Sequence, residues 1–452
     1  MFASGADLQS ANPLITVHPL ARQVQRYVLL TTLVRYDSSL TVRPYLARFY
    51  QWSSDSTILT FHLHRSVRWD DGVPTTAHDA AWTIEAARNP ATGYPRLTDL
   101  AALERVEAPD DSTLVLGFTS PQAGVPDVLT DLAILPAHRL DTVPLAQMRS
   151  AAWNDRPIGN GPFRFVSHQT NRRWVFIANP EFPPELGGPP ALDRLVIAVV
   201  DEPSTKLAAL ASGELDFAGI QPAHAEFVKR NPALAVLSYP LLFTYGIVFN
   251  TRQAPFNDPA VRRAIAWGLD RKGIVDGYIF GFGTVAGGPV PPGIPGEVVL
   301  SPPVFSPDSA RAILAGRPIS FELLTVGSGE AALEQMIQTQ LARVGVTVTI
   351  RQLELTAFLD RVNSRRPDYQ AAVLGTAGDL GLGHVKTLAD LAGFRIPGDP
   401  GQAQRLFADS VPVAFLYHAR GVQGMNRRVR NVRMDLRGEL ATIADWIAGP
   451  DE

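Results

Sequence analysis

Alternating and continuous runs of apolar residues mark the secondary structure of the first half of the chain. Residues 57–64 and 112–118 alternate apolar with polar positions, which is typical of strands with one face in water. Leu195–Val200 is wholly apolar, as expected of a strand buried on both faces. A short helix is predicted over Ser204–Ser212, and a short strand follows over Glu214–Gly219. This alternation of strands and helices predicts an α/β sheet.

A second series of alternating helices and strands is predicted after Asn250. Asp258–Leu269 is predicted to be a helix, because it starts with an aspartate that can cap the first turn and a proline that suits it. The pattern then predicts a strand over Ile319–Val326, a helix over Glu330–Val344 and a strand over Val346–Leu353. The chain is therefore expected to form two α/β regions of similar type.

The composition narrows the classes of function. The 452 residues are 46% hydrophobic and 19% charged, as in an ordinary soluble globular protein. The net charge of -3, from 41 basic and 44 acidic residues, argues against a nucleic-acid-binding surface, which needs an excess of basic groups. The absence of cysteine excludes disulfides, thiolate nucleophiles, zinc–thiolate sites and iron–sulfur clusters.

Several motifs occur along the chain in a distinctive order and spacing. They are Phe61–Gly72, Ile158–Phe165, Ala178–Phe182, Pro203–Phe217 and Tyr245–Thr251. No single motif is decisive, but together they resemble one known family, the family 5 extracellular solute-binding proteins, and make a chance match very unlikely. The proteins of this family are the peptide- and nickel-type receptors of ABC importers.

The resemblance implies a two-lobed, periplasmic-binding-protein-like α/β fold of type II, similar to cluster C. It also implies an extra subdomain in lobe I and a shortened lobe II, with the ligand held between the lobes. Asn250 and Gly421 are the expected hinge positions. The expected parts are 1–40, 158–250 and 422–452 for lobe I, 41–157 for the inserted subdomain, and 251–421 for lobe II.

The segment Leu374–Asp379 matches the family's glycine–tryptophan–aspartate motif. In peptide binders of the family, the aspartate of this motif pairs with the ligand's α-amino group, which implies that role for Asp379. Gly375, Thr376 and Ala377 are then expected to line the ligand site. Thr376 stands where the family has an aromatic residue, so a peptide ligand does not follow automatically. From the residues alone, Asp379 is equally able to cap a turn beside neighbouring glycines.

Further candidates have a functional and a structural interpretation. Tyr245, Tyr94 and Gln23 correspond to ligand-site positions of the family, while a buried tyrosine is equally compatible with a core role. His62 and His64 lie on one face of a strand and could join a metal site, but no carboxylate or third histidine lies close in sequence. His384 and His418 fall in the predicted lobe II, where His384 could serve a nickel-chelate binder. An isolated histidine is more often structural or exposed, so no metal site is predicted.

The resemblance predicts a binder and not an enzyme, since no catalytic or phosphate-loop motif occurs. The expected partners are a peptide or small-molecule ligand and the membrane subunits of an ABC permease, with no nucleic acid and no cofactor, and a monomer is expected. A cytosolic ligand sensor with the same fold is the alternative, and an enzyme with a dispersed triad or carboxylate pair is a more distant one.

The expected location is periplasmic or extracellular. Met1–Leu8 lacks a basic segment followed by an apolar core and is therefore not predicted to be a signal peptide. The resemblance favours an exported protein from which the signal was removed, with lipoprotein anchoring as an option. No run of 18 apolar residues occurs, so no membrane span is predicted.

Overall fold

The structure, a computed structural model, describes residues 1–16, 18–327, 329–364 and 368–449. Residues 450–452 of the predicted lobe I therefore lie outside the described residues. The chain divides into two compact units, unit 1 comprising Met1–Leu237 with the segment from Gln423 onward, and unit 2 comprising Ser238–Val422. Each unit has its own hydrophobic core.

The strands alternate with helices along most of the chain, in line with the predicted α/β class. The strands of the described residues are β1 (Phe2–Ser4), β2 (Val34–Tyr36), β3 (Val42–Pro44), β4 (Ala47–Trp52), β5 (Ile58–Leu63), β6 (Leu103–Asp110), β7 (Thr113–Phe118), β8 (Phe163–Gln169), β9 (Arg173–Ala178), β10 (Arg194–Val199), β11 (Phe217–Gly219), β12 (Leu234–Phe249), β13 (Gly283–Val285), β14 (Ile319–Val326), β15 (Val346–Leu353), β16 (Ala371–Ala377), β17 (Val413–Asn426), β18 (Val429–Arg430) and β19 (Ile447–Ala448).

Most helices begin with a recognisable cap. The α-helices of the described residues are α1 (Pro19–Val24), α2 (Ala77–Arg88), α3 (Val128–Asp131), α4 (Ala137–Leu140), α5 (Pro203–Ala211), α6 (Ala225–Arg230), α7 (Pro259–Gly268), α8 (Arg271–Tyr278), α9 (Pro307–Leu314), α10 (Ala332–Ala342), α11 (Leu355–Val362), α12 (Gly383–Ala392) and α13 (Pro400–Ser410). A π-helical turn over Gln25–Leu29 continues α1. Short 3-10 helices cover Pro90–Thr92, Leu97–Leu100, Leu145–Ser150, Ala152–Asn154, Pro184–Leu186, Pro222–His224 and Ile443–Asp445.

Unit 1 contains a mixed sheet and a separate antiparallel sheet. In the mixed sheet, β1 pairs in parallel with β10 and β11, and β10, β9 and β8 continue it as antiparallel neighbours. The second sheet has the order β4-β5-β7-β6 and lies within the predicted inserted subdomain. Its apolar face shares one core with the rest of unit 1, since Phe61 and Leu116 belong to the same buried cluster as Trp174 and Ile197.

Unit 2 is built on the strand order β15-β14-β16-β12. The β14 strand pairs in parallel with β15 and β16, while β12 runs antiparallel to β16. The predicted cap of α7 is present, because the Asp258 side chain accepts a hydrogen bond from the Ala260 N–H at 2.8 Å. Asp258 thus satisfies one of the N–H groups that the start of a helix leaves without an intrahelical partner.

The first chain crossing between the units differs from the predicted one. It falls between Leu237 and Ser238, within β12, and not near Asn250. Asn250 is 1% exposed and its Nδ2 donates to the Tyr369 carbonyl at 2.9 Å, so it is fixed inside unit 2. The second crossing falls between Val422 and Gln423, next to Gly421.

Gly421 lies where the backbone meets an aromatic ring. A Cβ at this position would stand 2.1 Å from the Tyr239 ring, far inside van der Waals contact. Any residue larger than glycine would therefore have to displace the ring or the strand. The close approach explains glycine here by packing within unit 2, and the predicted hinge role of Gly421 stays a prediction.

Candidate functional site

Asp379 lies in the turn that joins β16 to α12. Its Oδ1 accepts the Gly383 N–H at 2.9 Å, and its Oδ2 accepts the His384 N–H at 2.8 Å. The side chain thus caps the first turn of α12, which is the structural interpretation that the sequence left open. It nevertheless remains 46% exposed, so one side of the carboxylate faces solvent.

The hydrogen bonds around Asp379 keep its carboxyl group ionised. Burial acts to raise its pKa, but the His384 side chain and the backbone N–H groups of Gly383 and His384 outweigh burial and lower the pKa to about 2. At neutral pH, Asp379 therefore presents a negative charge that two backbone N–H groups hold in place. Such a group can pair with a cation without a rearrangement of the backbone.

Two buried histidines, His384 of this turn and His418 of β17, lie close enough to each other to interact electrostatically. His384 Nδ1 is 3.2 Å from Asp379 Oδ2, whereas His384 Nε2 is buried without a hydrogen-bond partner among the described residues. His418 is 5% exposed, and its Nδ1 is 2.8 Å from the Thr244 hydroxyl. Burial, reinforced by repulsion from His384, lowers the pKa of His418 to about 4, so its imidazole is neutral at neutral pH.

Within the part of the chain that the structure describes, the four candidate histidines belong to no cluster of potential metal ligands. Across the described ranges, no group of three or more His, Asp or Glu side chains is arranged to hold a metal ion. His62 stacks on Phe49 with ring centroids 4.4 Å apart, which fits the expected role of this strand face as ordinary surface.

The pairing of β12 with β16 separates the predicted ligand-site residues onto two faces. Tyr245 lies opposite Gly375, and Thr244 lies opposite Thr376. Residues opposite each other share a face of the sheet, and neighbours along a strand point to opposite faces. Tyr245, Gly375 and Ala377 therefore share one face, while Thr376 points to the other, with Thr244. The predicted residues of β12 and β16 are therefore close together in the structure, but they do not all lie on the same face of the sheet.

Tyr245 forms part of an aromatic wall on its face of the sheet. Its ring stacks on Tyr417 with centroids 4.8 Å apart, and the Phe243 ring lies 5.4 Å away. Burial, together with the nearby Glu334 carboxylate, raises the pKa of the Tyr245 phenol, which stays a hydrogen-bond donor. A Cβ on Gly375 would come within 2.1 Å of the Phe243 ring, so this wall requires glycine at position 375.

Tyr94 and Gln23 belong to unit 1. Tyr94 is 7% exposed, and burial, together with the Asp131 charge, raises the pKa of its phenol well above the usual value. Gln23 Oε1 accepts the Leu440 N–H at 2.9 Å, which fastens the C-terminal segment to α1. The contacts of Gln23 are therefore structural, whereas Tyr94 lines a small cavity.

A cluster of buried charges around that cavity was not predicted. Arg22, Arg26 and Arg96 all form ion pairs with Asp131, which is 8% exposed. The spacing of Arg22 and Arg26, four residues apart on one helix, was the local signal available in the sequence. Their carboxylate partner lies more than a hundred positions further along the chain and could not be assigned from spacing.

Comparison with known proteins assigns the family. A profile of the bacterial extracellular solute-binding proteins, family 5 middle region, matches residues 41–385. The chain belongs to this family. None of the helices in the described ranges is long and apolar enough to cross a membrane.

Relatives of this family 5 protein are named as peptide-binding proteins. A putative ABC transporter peptide-binding protein of Brucella ovis is 28% identical over 343 residues, which cover 72% of this chain and 63% of the relative. Di/tripeptide-binding protein 2 of Pseudomonas aeruginosa is 28% identical over 461 residues, covering 88% of this chain and 85% of the relative. The chain thus spans less than two thirds of the Brucella relatives that it matches.

Solved structures confirm the predicted fold. The ABC transporter substrate-binding protein CtaP of Listeria monocytogenes superposes with a TM-score of 0.86 at 17% identity, covering 99% of this chain and 98% of that chain. The oligopeptide-binding protein AppA of Bacillus subtilis, in complex with a nonapeptide, gives a TM-score of 0.76 at 21% identity, with the same coverage. At these identities the likeness concerns the fold alone, which is the α/β fold of periplasmic binding proteins.

Proposed function

We propose that this family 5 protein is the substrate-binding component of an ABC importer. It captures a short peptide, or another solute that bears an amine, and delivers it to the membrane subunits of a permease. The observation that carries the proposal is the family match over residues 41–385, supported by relatives that are named as peptide-binding proteins.

Asp379 is the proposed anchor of the solute's amine. Its carboxylate is ionised, half-exposed and held by two backbone N–H groups, so an ammonium group can pair with it at little cost in side-chain entropy. A charge-assisted hydrogen bond of this kind contributes about 1.5–3 kcal/mol. That range corresponds to a change in affinity of roughly tenfold to a hundredfold.

The proposal includes the remaining properties of such a receptor. The protein acts as a monomeric binder and not as an enzyme, it works outside the cytoplasm, and a lipid anchor at its N-terminus would hold it near its permease. Ligand specificity then depends on the side chains of β12 and β16. In β16, Thr376 replaces the aromatic residue of the family motif.

A thermal-shift screen tests the proposal. The purified protein is heated with di- to pentapeptides, nickel chelates, oligosaccharides and amino acids, because a ligand that binds only the native state raises the melting temperature. We expect a hit among peptides or amino acids. No stabilisation by any compound with a free amine, together with a shift from an oligosaccharide or a chelate, would overturn the peptide assignment.

Matched variants then test the anchor. Asp379→Asn removes the charge of the anchor but keeps an acceptor for the first turn of α12. Asp399 is the control, because it caps α13 of the same unit by accepting the Gln402 N–H at 2.7 Å. We expect Asp379→Asn to reduce the ligand-induced shift strongly and Asp399→Asn to leave it unchanged. Equal shifts in both variants would show that the amine is bound elsewhere.

A further inference from the structure

Glu334 is a buried carboxylate of unit 2 that lacks a basic partner. It lies in the first turn of α10 and is 7% exposed, and no Lys, Arg or His side chain of the described residues forms an ion pair with it. Its Oε1 accepts the Thr325 hydroxyl at 2.6 Å, a separation typical of an O–H···O⁻ bond. No described residue donates a hydrogen bond to Oε2, so half of the charged group has no protein partner.

The start of the helix does not compensate this charge. The first turn of a helix favours a carboxylate only modestly, whereas a buried charge without a counter-ion is strongly disfavoured. A water molecule at Oε2 would supply a hydrogen bond but no charge, while an ammonium group would supply both. The uncompensated charge therefore favours a cation over water beside Glu334.

The sheet of unit 2 places this carboxylate on the face of the aromatic wall. Leu323 of β14 lies opposite Ala371, and Tyr245 of β12 lies opposite Gly375. Positions two apart along a strand share a face, so Thr325 lies on the face of Leu323, and Gly375 on that of Ala371. The carboxylate that Thr325 holds thus lies over the face to which Tyr245 belongs.

Three tyrosine hydroxyl groups lie close to this carboxylate. Tyr417 is 2% exposed, and its ring stacks on that of Tyr245. Burial raises the pKa of the Tyr417 phenol, and smaller contributions in the same direction come from three nearby groups. These groups are Tyr245, Tyr278 and Glu334. No described residue forms a hydrogen bond with the hydroxyls of the three tyrosines, so their oxygens remain available to a ligand.

The end of α8 brings Tyr278 to the solvent side of this cluster. A Cβ on Gly277 would lie 3.4 Å from Met336 Cε, so α8 packs against α10 just before Tyr278. Tyr278 is 37% exposed, whereas Tyr417 and Glu334 are buried. A ligand would therefore enter the cluster past Tyr278.

We propose that Glu334 and the three tyrosines around it form a binding site for the ammonium group of a protonated alkylamine. An ammonium group offers three N–H donors and one positive charge, which match Glu334 Oε2 and the phenol oxygens near it. The tyrosine rings favour a cation further, because the face of an aromatic ring attracts positive charge. The amine belongs either to a free alkylamine or to a lysine-like side chain of the solute.

Saturation-transfer NMR measures the binding of n-butylammonium to the full chain. Glu334→Gln removes the charge but keeps the side-chain size and an acceptor for the Thr325 hydroxyl. Glu330→Gln, at an exposed position just before α10, is the matched control. We expect Glu334→Gln to bind n-butylammonium about tenfold more weakly than the wild type, and Glu330→Gln to bind it unchanged. Equal affinities of the wild type and Glu334→Gln would overturn the proposal.

Asp379→Asn separates this site from the proposed amine anchor. We expect Asp379→Asn to retain the binding of n-butylammonium that Glu334→Gln loses. Loss of binding in Asp379→Asn, with full binding in Glu334→Gln, would overturn the Glu334 site and leave the anchor supported. Butanol, a neutral molecule of similar shape, should bind far more weakly than n-butylammonium, and equal binding of the two would contradict a cation site.

A further ligand identifies the source of the amine. Nα-acetyllysinamide carries only a side-chain ammonium group, so its binding identifies a basic side chain as a ligand, whereas binding of n-butylammonium alone identifies a free alkylamine. If circular dichroism shows that Glu334→Gln does not fold, Tyr278→Leu removes a phenol at a position that is 37% exposed. That variant should also bind n-butylammonium about tenfold more weakly, and unchanged binding would overturn the proposal.

Discussion

Buried arginines are used differently in the two units. In unit 2, Arg262 and Arg271 are each 3% exposed and bind main-chain carbonyl groups. Arg262 donates to the carbonyls of Ser410 and Phe256, both at 2.7 Å, and Arg271 donates to the Phe415 carbonyl at 2.6 Å. In unit 1, the buried arginines instead converge on the carboxylates of Asp127 and Asp131.

The two arrangements have opposite electrostatic consequences. Burial without a carboxylate partner lowers the pKa of Arg271 to about 10. Burial acts in the same direction on Arg96, but attraction by Asp127 and Asp131 outweighs it and raises the pKa above the usual value. Carbonyl-bound arginines therefore fasten chain segments, whereas the arginines that share Asp131 form a network of ion pairs. The contrast separates two ways of stabilising a buried guanidinium group.

The largest effect is expected from Asp131→Asn in unit 1. This change leaves three guanidinium groups around a neutral amide, and removing one partner of a buried charge cluster costs about 3–5 kcal/mol. Urea unfolding of unit 1 should show the loss. Asp155→Asn is the control, because Asp155 is exposed and should change stability by less than about 0.5 kcal/mol. A similar, small loss in both variants would mean that the cluster is not held by Asp131.

A slightly smaller effect is expected from Arg262→Met in unit 2. Methionine fills similar space but leaves buried carbonyl groups without donors, which should lower the free energy of unfolding by about 3 kcal/mol. The adjacent Arg263 is exposed on the same helix and provides the matched control, Arg263→Met. Equal effects of the two substitutions on denaturant unfolding would contradict the fastening role.

The stability of unit 2 should depend on pH through His418, a buried histidine that bonds to the Thr244 hydroxyl and not to a carboxylate among the described residues. The pKa of His418 is lowered from 6.5 to about 4, so the unfolded chain takes up a proton first as the pH falls. The stabilising contribution is complete above pH 6.5 and is lost as the pH falls toward 4. Between about pH 8 and pH 5 the loss should reach about 2 kcal/mol.

His418→Gln should remove that pH dependence. Denaturant unfolding at several pH values compares it with His78→Gln, because the His78 side chain is 58% exposed. We expect the slope between pH 6.5 and 4 to flatten only in the first variant. An unchanged slope would assign the titration to another group.

The smallest effect on stability is expected from a change at Asp379, whose carboxylate lies 3.2 Å from Nδ1 of the buried His384. Asp379→Asn keeps one acceptor for the first turn of α12, so the free energy of unfolding should fall by only about 1 kcal/mol. A loss of several kcal/mol, measured by urea unfolding, would mean that the turn depends on the charge of Asp379 and that the variant is unsuitable for binding tests.

Local features were predictable from the sequence. The cap of α7 at Asp258 and the capping box of Thr76 with Asp79 depend on residues two or three positions apart, and both are present. The family motifs predicted the fold class, which the solved structures confirm. The Asp379 turn was also foreseen as one of two alternatives, since the glycines around it favour a capped turn.

Long-range features could not be predicted in the same way. The crossing at Leu237 lies inside the 16-residue strand β12, where the local pattern gives no signal of a change of unit. The opposite orientation of Thr376 follows from the register with Thr244, which only the pairing of distant strands defines. The charge cluster of unit 1 likewise joins residues 109 positions apart in the Arg22–Asp131 pair.

The most direct test of the account is a thermodynamic cycle on the amine anchor. Isothermal titration calorimetry would measure the affinity of the best peptide from the screen and of its N-acetylated form, each for the wild type and for Asp379→Asn. The account predicts that either change alone weakens binding about tenfold or more, and that the second change adds little once the first is made. Fully additive losses, or an N-acetylated peptide that binds the wild type unchanged, would contradict the pairing of Asp379 with the solute's amine.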